Sequence, residues 1–466
     1  MSTKELTKNA VARQRKVDPT SLLSALKNGG PVVWLSCLIM GLGNIFAGQF
    51  INGLLFLAIE VGVIMYMTTR GGGIYWLSML LSLGDRPTEE VWNDDKGIYE
   101  YIPGDNSQQI LLYAVATIAV LVFAVVLWRA SVRSGYAALC IKKSGKKVPT
   151  IIDDVKALFD GNIHKLLMTP PFMMLIVFTI IPLVYMILMA FTNYSTVGDH
   201  LILFDWVGLE NFKTLFSSSS NIGSQFGSVL RWTLVWAFFA TFLNFFAGTI
   251  MAMIINRPTT RFKGMWRGIL SLTIAVPQFV SLLIIRTMFK DDGAVNQLLW
   301  NLGLVPNGTN LPFFTNADWA KVLIIVINLW VGIPYTVMQV TGILQNIPAE
   351  QYEAARIDGA NVFQQFINIT LPYMIFVMTP YIITQFTGNI NNFNIIYLLS
   401  GGGPTDTGAT AGKTDLLVTW LYKLSVDKQQ YNMAAVIGIF TFMVLAIVAL
   451  VTYRSSGSYK DEEGFK

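Results

Sequence analysis

Charge is scarce in this chain. Only 13% of its 466 residues are Asp, Glu, Lys or Arg, about half the share usual in a soluble domain, which excludes a disordered polyelectrolyte and a nucleic-acid-binding protein. The two cysteines, Cys37 and Cys140, lie far apart in or beside apolar stretches, so neither a disulfide framework nor a zinc site is expected. His164 and His200 are equally isolated, and no metal site is expected from any of the four. Carboxylates are nearly absent from the apolar stretches: Glu60 is the one mid-span acid, read as a structural pairing partner rather than a proton carrier. A cleavable secretory signal is not expected either, because the first apolar run follows a polar, basic leader and no small-residue cleavage site closes a short run.

What the sequence has in abundance is unbroken apolar length. Apolar residues make up 53% of the chain and fall in runs long enough to cross roughly 30 Å of hydrocarbon, which predicts an all-α integral membrane protein. Eight spans are expected, at residues 52–69, 109–128, 170–191, 228–255, 268–289, 322–344, 372–397 and 431–453. Residues 32–50 are apolar but interrupted by Gly41, Gly43 and Gly48, and are read as re-entrant or interfacial, with a full ninth span as the alternative. The expected organisation is a basic tail (1–32), an N-terminal membrane region with two spans and an acidic outer loop (33–165), a six-span core (166–455) and a second tail (456–466).

Lys and Arg set the orientation. Lys4, Lys8, Arg13, Arg15, Lys16 and Lys27 precede the first span; Lys142, Lys143, Lys146 and Lys147 follow the second; Arg257, Arg261, Lys263 and Arg267 follow the fourth. These segments are expected in the cytoplasm, with both termini. The first alternate loop carries Asp85, Glu89, Glu90, Asp94, Asp95, Glu100 and Asp105 and is expected outside.

One cytoplasmic loop departs from the charge rule. Between the sixth and seventh spans Arg356 stands against Glu350, Glu353 and Asp358. Pro348, the helix formers Ala354 and Ala355, the breaker Gly359 and the amphipathic run through Val362, Phe363, Phe366 and Ile367 predict two short helices meeting at a glycine. The order Glu353-Ala354-Ala355, Gly359, Ile369, Leu371-Pro372 resembles the EAA signature of ABC-importer permeases. The resemblance implies a coupling helix docked on a separate ATP-binding subunit. A Walker-like run, Gly408 to Thr414, has three residues between its glycines where the phosphate loop needs four and no strand before it, so no nucleotide site is expected there.

Polar residues inside spans are either interhelical glue or the lining of a wet path. In the sixth span Asn328, Val331, Gly332, Tyr335 and Gln339 share one helical face; in the seventh, Gln385, Asn389 and Asn392 follow helical spacing, with Asn391 and Asn394 nearby. Neutral amides and a phenol hydrogen-bond hydroxyls in both directions, and an aromatic ring packs on a pyranose, so two such stripes favour a path for a neutral polyol.

From about Pro170 onward the chain resembles the larger, MalF-like permease subunit of maltose/maltodextrin-type ABC importers. Gly208-Leu209-Glu210-Asn211-Phe212, Ala275-Val276-Pro277, Trp330-x-Gly332-x-Pro334-Tyr335, Asn391-Asn392-Phe393 and Gly402-Gly403-Pro404 carry the likeness. It implies a type I permease core of six helices preceded by two extra spans, in a bacterial cell membrane. Sugar contacts are implied at Asn328, Val331, Gly332, Tyr335, Asn389 and Asn392, and Gly388 stands where the family's maltose transporter has an aromatic ring. Coupling is implied through Glu353, Ala354, Ala355, Gly359, Ile369, Leu371 and Pro372. The implied partners are a second, MalG-like permease, two ATP-binding subunits holding ATP and Mg, and an extracellular solute-binding protein. No cofactor or catalytic residue is implied in this chain. Residues 192–229 are too few for a sizeable outer domain. A proton- or sodium-coupled sugar symporter is the competing reading, and the sparse intramembrane carboxylates disfavour it.

Overall fold

The computed structural model describes residues 21–94, 96–257 and 259–455. Lys4, Lys8, Arg13, Arg15, Lys16, Asp95 and the tail 456–466 lie outside the described residues. The chain forms two compact units, Met1–Leu188 with Asp199–Trp206, and Met189–Gly198 with Val207–Lys466.

In the first unit, residues 32–50 do not make a continuous span. They form α1 (Gly30–Leu38) and α2 (Leu42–Ala47), and nine residues of helix rise only about 14 Å. Gly41 sits between them at φ 84°, and a Cβ there would lie 2.1 Å from the carbonyl oxygen of Gly53, so both the turn and the close approach of α3 (Phe50–Thr68) require glycine. The break frees backbone donors inside the apolar region, and side chains from other helices take them up. Met40 N–H donates to Glu60 Oε2 (2.8 Å) and Gly41 N–H to Ser131 Oγ (2.8 Å). Ser131 belongs to α4 (Ser107–Lys143), a helix roughly 55 Å long that continues well past the end expected at residue 128.

Before α4, the acidic loop folds as an antiparallel hairpin, β1 (Glu89–Asn93) with β2 (Ile98–Ile102), an element not expected from the loop's charge. The hairpin has no cover among the described residues, and Trp92, Tyr99 and Tyr101 are exposed. A long helix, α5 (Ile163–Met189), contains a π turn at Ile176–Ile180 just ahead of Pro182. The proline offers no N–H to the carbonyl four residues back, and the helix widens there without breaking.

The second unit is built around α6 (Asn221–Asn256), α9 (Ala317–Leu344) and α11 (Val362–Ile390). Between α6 and α9 come α7 (Lys263–Ala275) and α8 (Gln278–Met288), bent at 87° to each other. One fifth span was expected from 268 to 289, with Pro277 a place for a bend; the Val276-Pro277 step divides it into two helices, because proline restricts the residue before it and removes a helical donor. Contacts between α6 and α9 keep step along both helices: Asn328 reaches the Ala240 carbonyl, Gly332 faces Asn244, Gly248 faces Thr336, and Asn256 donates to Thr341. The two helices are therefore parallel. The chain between them must cross back, and among the described residues the bent pair supplies the apolar helical length for it, which makes eight spans there.

By contrast α11 runs antiparallel to α6, with Asn389 beside Thr241 and Met374 in one apolar cluster with Ala252. The seventh span ends at Ile390, not Tyr397 as expected. Asn392 caps a separate helix, α12 (Phe393–Leu399), its Oδ1 accepting from Ile395 N–H (3.3 Å). Asn residues favour this capping geometry over the helix interior. The last span is α13 (Tyr431–Arg454).

Candidate functional site: an uncharged cavity between two apolar clusters

Two buried apolar clusters occupy successive lengths of α6 and α9. One gathers Trp232, Trp236, Leu282, Ile324, Ile327, Ile395 and Leu399; the other gathers Phe245, Ala252, Val337, Val340, Met374 and Met378. Between them lies a cavity of about 370 Å³, lined from α6, α8, α9, α11 and α12. That volume falls in the range of about 300–1,000 Å³ typical of small-molecule sites.

All six residues expected to contact sugar line this one cavity: Asn328, Val331, Gly332, Tyr335, Asn389 and Asn392, together with Gln339 and Gln385. The seventh-span stripe is not a stripe on one helix, since Asn392 stands beyond the end of α11, but the turn at Asn391 returns its side chain to the same space. Gly388 is exposed, and a Cβ built on it meets nothing within 4 Å.

The alternatives of glue and lining do not exclude each other here. Trp236 Nε1 donates to the Asn389 carbonyl (3.0 Å), Asn389 Nδ2 donates to Thr241 Oγ1 (3.0 Å), and Asn392 Nδ2 donates to Asn389 Oδ1 (3.3 Å). This chain of bonds fixes where α6, α11 and α12 meet while leaving the remaining polar surface facing the cavity. Tyr335 is the counterpart that is not tied down: it is 49% exposed and lines the cavity. Not one lining residue carries a formal charge. An uncharged lining with many two-way hydrogen-bonding groups suits hydroxyls, and offers nothing to hold an ion.

Pattern reasoning passes over Thr241, Asn244, Gln278, Thr336 and Tyr381, which also line the space. A lone amide in an apolar span forms no stripe, and Gln278 comes into place only through the 87° bend.

The residues expected to couple to an ATPase gather at one end of the unit. Helix α10 (Ala349–Ile357) closes on Gly359, at φ 78°. Ala360 N–H returns to Ala355 O (2.8 Å) and Gly359 N–H to Arg356 O (3.1 Å), the paired bonds of a glycine-terminated helix. Asn361 and Gln364 then form a capping box, and α11 leaves with a π turn at Phe366–Thr370 ahead of Pro372. The second short helix is thus the start of α11 itself. Tyr352 and Thr370 hydroxyls meet at 2.9 Å, bracing α10 against α11. Glu353 and Ala354 are exposed, as is Pro372; Ala355, Ile369 and Leu371 are half-buried. Along α11, Leu371 and Gln385 are about 21 Å apart by helical rise.

In the Gly408 to Thr414 run, Lys413 pairs with Asp406, and Thr414 Oγ1 donates to Gly403 O (2.7 Å). The loop closes over Asp415, fully buried, which accepts from Gly412 N–H (2.7 Å), Thr419 Oγ1 (2.8 Å) and Lys423 Nζ (2.6 Å). Among the described residues no group of three or more His, Cys, Asp or Glu side chains is placed to hold a metal.

Comparison with known proteins adds one family, three relatives and one solved structure. Residues 244–456 match the family model described as "Binding-protein-dependent transport system inner membrane component". The chain is 35% identical over 437 residues to the galactooligosaccharides transport system permease protein GanP of Bacillus subtilis (strain 168), covering 92% of this chain and 99% of that protein. It is 34% identical over 439 residues to the maltodextrin transport system permease protein MalC of Streptococcus pneumoniae serotype 4, covering 92% and 96%. Escherichia coli (strain K12) MalF, a maltose/maltodextrin transport system permease protein, matches at 34% over 255 residues, covering 53% of this chain and 49% of that one. Among solved structures, a chain of a bacterial alginate ABC transporter, crystallised in complex with an alginate pentasaccharide-bound periplasmic protein, shares the fold with a TM-score of 0.54 at 22% identity, covering 65% of this chain and 97% of that one.

Proposed function

This chain belongs to the family of binding-protein-dependent transport system inner membrane components, the permeases of ABC importers, and from that premise we propose that its uncharged cavity passes a neutral oligosaccharide into the cell. The observation that carries the reading is the lining: amides, hydroxyls and two tyrosines with no formal charge, held between two apolar clusters. Asn328, Asn389 and Asn392 supply hydrogen bonds, Tyr335 supplies an aromatic face, and Val331 and Gly332 shape the wall. The names of the relatives favour a maltodextrin or a galactooligosaccharide.

The chain does no chemistry itself. Two partner subunits bind ATP and Mg and hydrolyse the nucleotide on the cytoplasmic side, where the termini also lie. Their motion reaches this chain through the elbow of α10 and α11, with Glu353, Ala354 and Ala355 at the docking face and Gly359, Ile369, Leu371 and Pro372 joining it to the span. The Tyr352–Thr370 brace makes that elbow a lever rather than a loose loop, since force on α10 is delivered to the helix that lines the cavity. A second permease completes the passage, and an extracellular solute-binding protein delivers sugar to it.

Reconstitution in liposomes with the partner subunits tests this. Uptake of maltotriose or galactobiose should require ATP and the binding protein, and should persist when ionophores remove proton and sodium gradients. Uptake that follows an ion gradient and ignores ATP would sink the reading.

A further inference from the structure

Between α4 and α5 a short helix, Ile151–Phe159, opens on a capping box of Thr150 and Asp153. Ile151, Asp154 and Leu158, spaced i, i+3, i+7, are half-buried. The neighbouring stripe, Ile152, Val155 and Phe159 at the same spacing, stands out from the protein at 63%, 46% and 61% exposure. A helix bathed in water turns such a stripe inward; this one leaves it out. Two hydrogen bonds fix its depth. Gln49 Nε2 donates to the Pro149 carbonyl (2.8 Å) and Asn52 Nδ2 to Asp154 Oδ2 (2.7 Å). Both donors sit at the start of α3, whose 19 residues rise about 28 Å, enough to cross the hydrocarbon core with nothing to spare. The first turn of α3 therefore marks a membrane boundary, and the short helix is tied to it. Its exposed stripe runs on into α5, where Leu167 and Met168 are 65% and 63% exposed, so the lipid that surrounds that span also reaches Ile152, Val155 and Phe159.

Charge narrows the kind of lipid. From residue 142 to residue 165 six lysines stand against three aspartates. Lys142 is spent on the Phe46 carbonyl (2.7 Å), Asp153 on the capping box and Asp154 on Asn52. Lys143, Lys146 and Lys147 remain exposed, within six residues of Pro149 and so close to the boundary. We propose that residues 142–159 form a docking surface for anionic phospholipid of the cytoplasmic leaflet: Ile152, Val155 and Phe159 enter the acyl region, and Lys143, Lys146 and Lys147 bind headgroup phosphates. The two parts need each other. Attraction between ammonium and phosphate fades within roughly 8 Å at physiological salt, and the inserted stripe is what holds the lysines inside that distance. The inference rests on the orientation given under the proposed function, with these lysines in the cytoplasm, and does not depend on the sugar.

The test uses the complete transporter in phosphatidylcholine bilayers, with Cys37→Ser and Cys140→Ser as background. A nitroxide on Phe159→Cys should collide with dissolved oxygen and be shielded from a water-soluble nickel chelate, while one on Ala157→Cys, on the opposite side of the helix, should meet the chelate. Should Phe159→Cys fail to assemble, Ile152→Cys occupies the same stripe. A fluorophore on the same stripe cysteine then reads the lipid: nitroxide-labelled phosphatidylglycerol should quench it about threefold more per mole than nitroxide-labelled phosphatidylcholine. Replacing the lysines together, as Lys143→Gln, Lys146→Gln and Lys147→Gln, should bring that ratio to about one and leave the oxygen and chelate results unchanged. Salt near 1 M should lower the native ratio in the same direction.

A stripe label open to the chelate puts the helix in water, and one closed to both oxygen and chelate puts a partner protein over it; either overturns the proposal. So does equal quenching by the two lipids in the native protein, or a preference that survives loss of the three lysines. Orientation has its own control. Ser144→Cys should resist an impermeant thiol reagent in intact cells and react once they are permeabilised. Reaction in intact cells would sink the cytoplasmic assignment and this surface with it; protection without any preference for phosphatidylglycerol would sink the present inference alone.

Discussion

The two units place polar groups in apolar surroundings for different ends. In the first, Glu60 and Ser131 reach across to backbone N–H groups at Met40 and Gly41, freed by the turn between two short helices. In the second, Asn328, Asn389, Asn392 and Tyr335 share a wall around open space. In the most apolar stretch of α3, which carries Glu60, only 6% of residues are buried, against 39% in α6 and in α9. A polar side chain that repairs a broken backbone is spent on the fold, and one that keeps polar surface at a cavity is open to a ligand. The identity of the residue does not decide which; the fate of its hydrogen bonds does.

Replacement on the cavity side should have the largest effect on transport. Tyr335→Ala removes the free ring and hydroxyl, and uptake at limiting sugar should fall about a hundredfold, near 2.7 kcal/mol, with thermal stability of the purified complex little changed. A stability loss without an uptake defect would break the contrast between the units. Gly359→Val comes next. Its φ of 78° costs a branched residue roughly 1–2 kcal/mol, and distorting the elbow should lower sugar-stimulated ATP hydrolysis about tenfold while equilibrium sugar binding is retained.

On the other side of the contrast, Glu60→Leu leaves Met40 N–H unpaired and should lower stability by about 1–3 kcal/mol, read as an earlier detergent melt. The ranking of competing sugars should not move; a changed ranking would show that the first unit also senses cargo.

The smallest effect is expected at Asp105, outside the spans, whose buried carboxylate is held below its ordinary range chiefly by the hydrogen bond from Arg86, with a direct contact at 2.7 Å. A depressed carboxylate pKa contributes stability above its unfolded value, lost as pH falls through the folded value. Arg86 is 72% exposed, so solvent screening makes the loss of stability in Arg86→Ala small near neutral pH. The difference from the native melt should vanish on acidification through the folded pKa.

Span number and the sixth-span stripe were legible because each rests on a period or a length that one helix carries by itself. Asn328, Val331, Gly332, Tyr335 and Gln339 lie on α9 at helical spacing, and their convergence follows from that alone. What escaped was set by breaks and by neighbours. Pro277 marks a bend but not its 87° size, Asn391 ends α11 early, and the hairpin at Glu89–Ile102 arises from strand pairing inside a segment whose charge reads as loop. Asn244 escaped for another reason: it lines the cavity beside Gly332, 88 residues away, and no local pattern links the two. The Tyr352–Thr370 brace is nonlocal in the same sense, joining α10 to the base of the span after it.

The account's central claim is that the amide-walled space of the second unit is the passage, and thiol labelling reads it most directly. With Cys37→Ser and Cys140→Ser as background, Gln385→Cys places one thiol at the cavity in the reconstituted transporter. It should react with a membrane-impermeant methanethiosulfonate, and maltotriose or galactobiose at about ten times its dissociation constant should slow that reaction on the order of tenfold. A thiol that does not react in any nucleotide state, or reacts equally fast with and without sugar, would contradict the claim.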